Sequence, residues 1–198
     1  VAVSFAFLVP LQAQTLTGAL TNLSTRLRVP AGGSPAIVGY VLLGGGSQTL
    51  LIRAVGPGLA PFGVAGTLAD PRLTIYDAAG RVVASNEDWD ASGSVAAVAQ
   101  RVGAFALSSG SKDAAVVLAA SAGAYTVHVT GAASEGGVAL IEVYAADLVG
   151  PQLVNLSVRG MAGTGADTLT AGFALRGTPR TLLMRGVGPG LAAFGVPG

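Results

Sequence analysis

Leu73-Thr-Ile-Tyr-Asp77 is followed by Ala78-Ala-Gly80 and then by Arg81-Val-Val-Ala-Ser85. The two flanking pieces are short and rich in β-branched residues, the composition that suits a pleated, half-buried strand. Asp77-Ala-Ala-Gly80 joins them as a tight hairpin, with Gly80 supplying the position of positive φ. The same punctuation recurs on both sides of this stretch. Further strands are expected near Leu23–Val29, Ala36–Leu43, Gln48–Val55, Ala114–Ala119, Tyr125–Thr130 and Val138–Tyr144. Ser94–Ala106 breaks the pattern. Val95, Val98, Ala99 and Val102 follow i, i+3, i+4, i+7 spacing, which predicts a short helix. About eight strands separated by turns every 8–12 residues indicate an all-β, antiparallel β-sandwich or jelly roll. Several strands are apolar at nearly every position, as expected where both faces are covered.

The chain also repeats itself. Thr49–Gly66 (TLLIRAVGPGLAPFGVAG) returns as Thr181–Gly198 (TLLMRGVGPGLAAFGVPG). The two blocks differ only at Ile52/Met184, Ala54/Gly186, Pro61/Ala193 and Ala65/Pro197. Upstream, Leu20-Thr-Asn-Leu-Ser-Thr-Arg26 returns as Leu153-Val-Asn-Leu-Ser-Val-Arg159. The period is the size of a domain and not of a solenoid repeat. Residues 15–150 therefore read as one complete sandwich repeat, and residues 151–198 as the truncated first third of a second.

Composition narrows the function. Of 198 residues only 11% are charged, where about 25% is usual. Half are apolar, which excludes disorder through weak hydrophobicity. The formal net charge of +1 gives no electrostatic case for nucleic acid or an anionic membrane. With no Cys, disulfides, thiolate metal sites and Cys nucleophiles are excluded. Val1–Val9 is an uncharged apolar run followed by Pro10 and Leu11-Gln-Ala-Gln14. Residues 1–14 read as a signal-peptide remnant whose basic start is missing. The other reading is a buried strand at the start of a domain. The run is about half the ~20 residues of a membrane-spanning helix, so export without a membrane span is expected.

Leu73–Gly80, Ala84-Ser-Asn-Glu-Asp88, Ala122–Val129 (AGAYTVHV) and Gly136-Gly-Val-Ala-Leu140 together resemble the bacterial pre-peptidase C-terminal (PPC) domain. The paired NLS…R and LLxRxVGPGLAxFGV blocks resemble tandem repeats of large secreted proteins from verrucomicrobial-type bacteria. One departure is at Val138 and Ala139, where the PPC pattern carries an aromatic after its glycine. The resemblance implies an extracellular, non-catalytic accessory or adhesive module. It also implies calcium in some relatives.

Several motifs imitate chemistry. Gly56-Pro-Gly58-Leu-Ala-Pro61 follows a strand like a dinucleotide fingerprint, and Gly188, Gly190 and Ala193 match it better. The fingerprint needs a helix N-terminus under the pyrophosphate, and Gly63, Gly66 and Pro71 forbid a helix of useful length. A wide turn is expected instead. Ser109-Gly-Ser-Lys112 fits S-x-x-K but lies in a Gly-Ser loop without the companion motifs. His128 is the single imidazole, expected on the polar face of its strand with Thr126 and Thr130. No nucleophile elbow accompanies it. Asn-Leu-Ser at Asn22 and Asn155 fits a glycosylation pattern but reads as a strand start.

Asn86-Glu-Asp-Trp-Asp90 concentrates acids in one loop. Asn86, Asp88 and Asp90 alternate as hard oxygen ligands of the kind calcium prefers, with Asp77 or Asp113 as a further ligand. It is not an EF-hand: Ala91 and Ala97 replace the required Gly and Glu. The plain alternative is a solvated loop whose Asn and Asp cap turns. Trp89 is either a plug in the core or an exposed ring for stacking on a sugar. Arg53 and Arg185 hold equivalent places in apolar strands and need partners, Glu142 being the candidate for Arg53.

No catalytic set emerges, so the chain is expected not to be an enzyme. The leading expectation is a secreted, non-catalytic repeat module, acting as a spacer, adhesin or surface-binding unit. Its partners would be neighbouring repeats, extracellular polysaccharide or a cell-surface component, with no cofactor. The alternative is a calcium-dependent carbohydrate- or substrate-binding accessory module of a secreted hydrolase.

Overall fold

A computed structural model describes residues 18–91 and 93–195. The proposed signal remnant, residues 1–14, lies outside them. The fold is all-β, antiparallel and sandwich-like, with one short helix. The elements are β1 (Ala19–Val29), β2 (Ala36–Val55), a 3-10 helix (Pro57–Phe62), β3 (Pro71–Asp77), β4 (Val82–Asn86), α1 (Ser94–Val102), β5 (Ala114–Gly131), β6 (Gly137–Ala145), β7 (Gln152–Arg159) and β8 (Thr170–Arg176). Short 3-10 turns lie at Gly165–Asp167 and Pro189–Phe194. No helix among the described residues is long and apolar enough to cross a membrane.

The chain divides into two compact units. Ala19–Arg176 contains every strand of the described residues. The described residues of the other are Gly18 and 177–195. Within its described part the Gly18 N–H donates to Thr178 Oγ1 at 2.9 Å.

Hydrogen bonding runs β4-β3-β5-β2-β6-β1-β7, with β8 on β1 and β7 also on β2. The β3–β4 hairpin turns at Gly80, whose φ is +75° and whose N–H donates to the Asp77 carbonyl. α1 is shorter than the expected Ser94–Ala106. It stops at Gly103, which takes φ +72° and caps the last turn. Two pairs of expected strands are single long strands. Ala36–Leu43 and Gln48–Val55 merge into β2, and Ala114–Ala119 and Tyr125–Thr130 merge into β5. The two interruptions face each other. Leu42 opposes Gly123, Ser47 opposes Ser121, and the register shifts between them. Facing irregularities let both strands bend together without ending the ladder.

β2 explains why its sequence is apolar on both faces. Leu50, Ile52 and Ala54 join a core with Leu23, Leu27, Val38, Leu42, Ile75, Val127 and Ile141. Leu51 and Val55 join a second core with Leu59, Val95, Val98, Ala99 and Leu107, which the 3-10 helix and α1 cover. Arg53 stands on this second face.

The repeat enters the sheet in an unexpected way. β7 repeats β1, and β8 repeats the start of β2, because Gly172-Phe-Ala-Leu-Arg-Gly177 matches Gly39-Tyr-Val-Leu-Leu-Gly44. β1 pairs with β8, and β2 pairs with β7, in one shared register. Leu23 opposes Phe173 as Leu156 opposes Tyr40. Ser24 opposes Gly172 as Ser157 opposes Gly39. Both ladders shift at the same place, skipping Thr21 in one and Val154 in the other. Equivalent residues meet at Leu20–Leu153 and Arg28–Met161, on the local two-fold axis. Each copy's first strand thus pairs with the other copy's second strand. Glycine gives the crossing serines room: a Cβ on Gly39 would lie 2.4 Å from Ser157 Oγ and one on Gly172 2.9 Å from Ser24 Oγ, so each serine would have to turn its hydroxyl away.

Candidate functional site: the buried polar network beside α1

Arg53 and Glu142 are direct cross-strand neighbours on β2 and β6. Arg53 is 0% exposed. Its Nε and Nη2 donate to Glu142 Oε2 at 2.9 and 2.5 Å, and its Nη1 donates to the Phe105 carbonyl at 2.6 Å. The guanidinium lies 4.4 Å from the centre of the Phe105 ring. The Tyr144 hydroxyl donates to Glu142 Oε1 at 2.6 Å. Burial, reinforced by the Glu142 charge, raises the Tyr144 pKa, so the phenol remains a donor. Both carboxylate oxygens and all three guanidinium nitrogens are engaged. The arrangement satisfies a buried charge, as such a charge requires.

A second carboxylate organises the neighbouring turn. Asp113 is fully buried. Its Oδ1 accepts the N–H groups of Gly56 and Gly58 at 2.8 and 3.1 Å, and its Oδ2 accepts the Ser111 hydroxyl at 2.7 Å. The glycine-rich turn that imitates a phosphate cradle therefore holds a carboxylate of its own chain. Its helix is a six-residue 3-10 segment interrupted by Pro61. Gly58 is required by close approach: an added Cβ would lie 2.9 Å from Val55 Cγ1 and 3.0 Å from Asp113 Oδ2.

Trp89 joins this network. Its indole N–H reaches Ser111 Oγ at 3.1 Å and the Ser108 carbonyl at 3.2 Å, and its ring packs on the second core. A cleft of about 370 Å³ lies beside it, lined by Arg53, Trp89, Val95, Ala99, Gln100 and Leu107 among others. Lys112 and Ser111 of the S-x-x-K stretch point to different acids, Asp88 and Asp113.

The residues considered for calcium have partners within the chain, and Asp77 stands apart from the 86–90 loop. Asn86 Oδ1 accepts the Ala115 N–H, and its Nδ2 donates to the Asp88 carbonyl. Asp88 pairs with Lys112 Nζ at 2.8 Å. The Asp90 carbonyl accepts the Gly93 N–H. Asp77 closes its own hairpin, accepting from the Ala79 and Arg81 N–H groups and from the Arg81 side chain. Asn86 opposes Leu73, so Asp77 stands four residues further along β3, about 13 Å away. Hydrogen bonds from Arg81 hold the Asp77 pKa below the usual value.

Arg185 departs from the expectation made for it. Thr181–Val187 forms no strand, and Arg185 is exposed, whereas Arg53 is buried. The Arg53 strand is clamped between β5 and β6, and among the described residues no strand pairs with Thr181–Val187. His128 lies on the outer face of β5, its ring centre 4.6 Å from that of Tyr76. Val127 and Val129 are buried on the opposite face.

Sequence reasoning named Asp113 only as a spare calcium ligand and missed its role. It gave no bounds for β8, whose signal was the Gly-aromatic-x-Leu-x-Gly match between 39–44 and 172–177. No protein-family model matches this chain, and no curated protein does.

Proposed function

We propose that this chain is a non-catalytic structural repeat module of a secreted protein, a spacer whose copies are joined by shared strands. One observation carries this reading: the reciprocal pairing of β1 with β8 and of β2 with β7. Strand ladders along both crossings tie sequence-equivalent segments into one hydrogen-bonded body. A spacer under tension needs this, because pulling the copies apart must break two ladders and expose Leu23, Tyr40 and Leu42. The buried acids Glu142 and Asp113 are committed to internal partners, which suits support of a fold.

Single-molecule extension of the full chain tests this reading. Ala19–Arg176 should yield in one cooperative event that includes β7 and β8. Early, low-force release of residues 152–176 ahead of the rest would overturn it.

A further inference from the structure

Among the described residues, two strand edges in Ala19–Arg176 have no paired strand where their repeat counterparts have one. β1 lies between β6 and β8, and the first half of β2 lies between β5 and β7. Among the described residues, β7 pairs along one edge with β2 and touches β1 only at Leu153, and β8 pairs only with β1. The side chains record the difference. Tyr40 and Leu42 are 1% and 0% exposed, but their counterparts Phe173 and Leu175 are 43% and 42% exposed. Leu23 is buried, and its counterpart Leu156 only partly so. These residues carry the core pattern of the repeat without the cover that makes a core. An open edge with apolar side chains is a template for another strand.

We propose that the outer edges of β7 and β8 are the docking seat for a second copy of segment 122–145, the later half of β5 with β6. The occupant follows from continuity with the pairing already present. The two copies obey one register along β1–β8 and β2–β7, so the local two-fold axis also relates their outer neighbours. β6 lies on the far side of β1, so its copy belongs on β7. β5 lies on the far side of β2, so its copy belongs on β8.

The register is thereby specified. Tyr40 opposes Tyr125 with ring centres 5.2 Å apart and planes at 13°. Phe173 should stack in the same way on the Tyr125 of the incoming copy. Leu23 opposes Val143 and Asn22 opposes Tyr144, so Leu156 and Asn155 should meet the copies of those residues. The inference rests on the strand-joined spacer proposed above, whose partner it names.

The test extends the full chain by appending a copy of residues 67–150 after Gly198, the counterpart of Gly66. Amide hydrogen exchange is followed in the original and extended chains. In an antiparallel ladder alternate amides face alternate neighbours. The inward amides of β7 and β8 should be protected in both chains. The outward amides should exchange freely in the original chain and at least about tenfold more slowly in the extended one. Phe173→Ser should lower the Tm of the extended chain by several degrees more than that of the original. Unchanged outward amides, with the added residues melting separately, would overturn the docking seat and leave the spacer reading intact. Unprotected inward amides in the original chain would overturn both.

Should the extended chain not fold, a labelled peptide of residues 122–145 is titrated into the original chain. Saturable binding that protects the outward amides, absent with a scrambled peptide, supports the seat. No binding at a hundred micromolar or so, a concentration at which strand addition is normally detectable, counts against it.

Discussion

Removing one partner of a buried ion pair strands the other, and Arg53 shows how strong that effect should be. Arg53→Met leaves Glu142 buried with only Tyr144 to serve it. A loss of about 3–5 kcal/mol is expected in denaturant unfolding. Adding Glu142→Leu to that variant should restore part of the loss, and a double-mutant cycle measures the coupling. Asp113→Ala abandons the Gly56 and Gly58 N–H groups inside the protein and should cost about 1–3 kcal/mol. Asp147 responds to pH. The Thr49 N–H donates to its Oδ2 at 2.7 Å, and that hydrogen bond chiefly lowers its pKa. The stability it contributes is complete above the unfolded carboxylate value near 4 and disappears as the pH falls through the folded value. Asp147→Asn should flatten that acid limb of the stability curve. The Arg53–Glu142 pair was legible because a charge in an apolar strand needs a partner and Glu142 was the one acid in a matching strand. Asp113 was not legible. Its partners are backbone N–H groups some 55 residues away, and backbone donors leave no trace in residue identity.

Elements show where local signals mislead. Gly44-Gly-Gly46 and Ser121-Ala-Gly123 both carry the chemistry of turns, which marks a strand end in sequence alone. Turn chemistry is also bulge chemistry, and the ladder decides between them. Because the two irregularities face each other, β2 and β5 continue past them. The 86–90 loop presents the opposite situation. Its acids alternate like ligands, yet Asn86 and Asp88 already hold backbone, amide and ammonium partners. Millimolar calcium or EDTA should leave the Tm unchanged; a rise of several degrees with calcium would restore the metal-binding alternative. The β2/β8 comparison gives an internal control on burial. Leu42→Ala should cost about 2–5 kcal/mol, and Leu175→Ala, at the same place in the repeat, less than about 1.

For the whole molecule, the sequence showed that two copies exist, and their arrangement came from long-range pairing. The repeat places the start of the second copy near residue 151. β7 and β8 of that copy pair within the sheet of the first. The pattern that sets the pairing, Leu-Ser in the first strand against Gly-aromatic-x-Leu in the second, is common to both copies, so it does not distinguish a partner within one's own copy from its image in the other. This is the physical condition for strand exchange: the same contacts serve within and between copies.

The position of Leu20 against Leu153 has one more consequence. A contact in which a residue meets its own counterpart is isologous, and such a contact closes on itself. Once two copies have exchanged strands, neither has the same surface left for a third. An array held together this way would be counted in twos, as a string of closed couples and not as an open filament. Chains engineered with even numbers of complete copies should remain monodisperse in solution. Chains with odd numbers should leave one unmatched copy and associate through it, a parity that sedimentation can read directly.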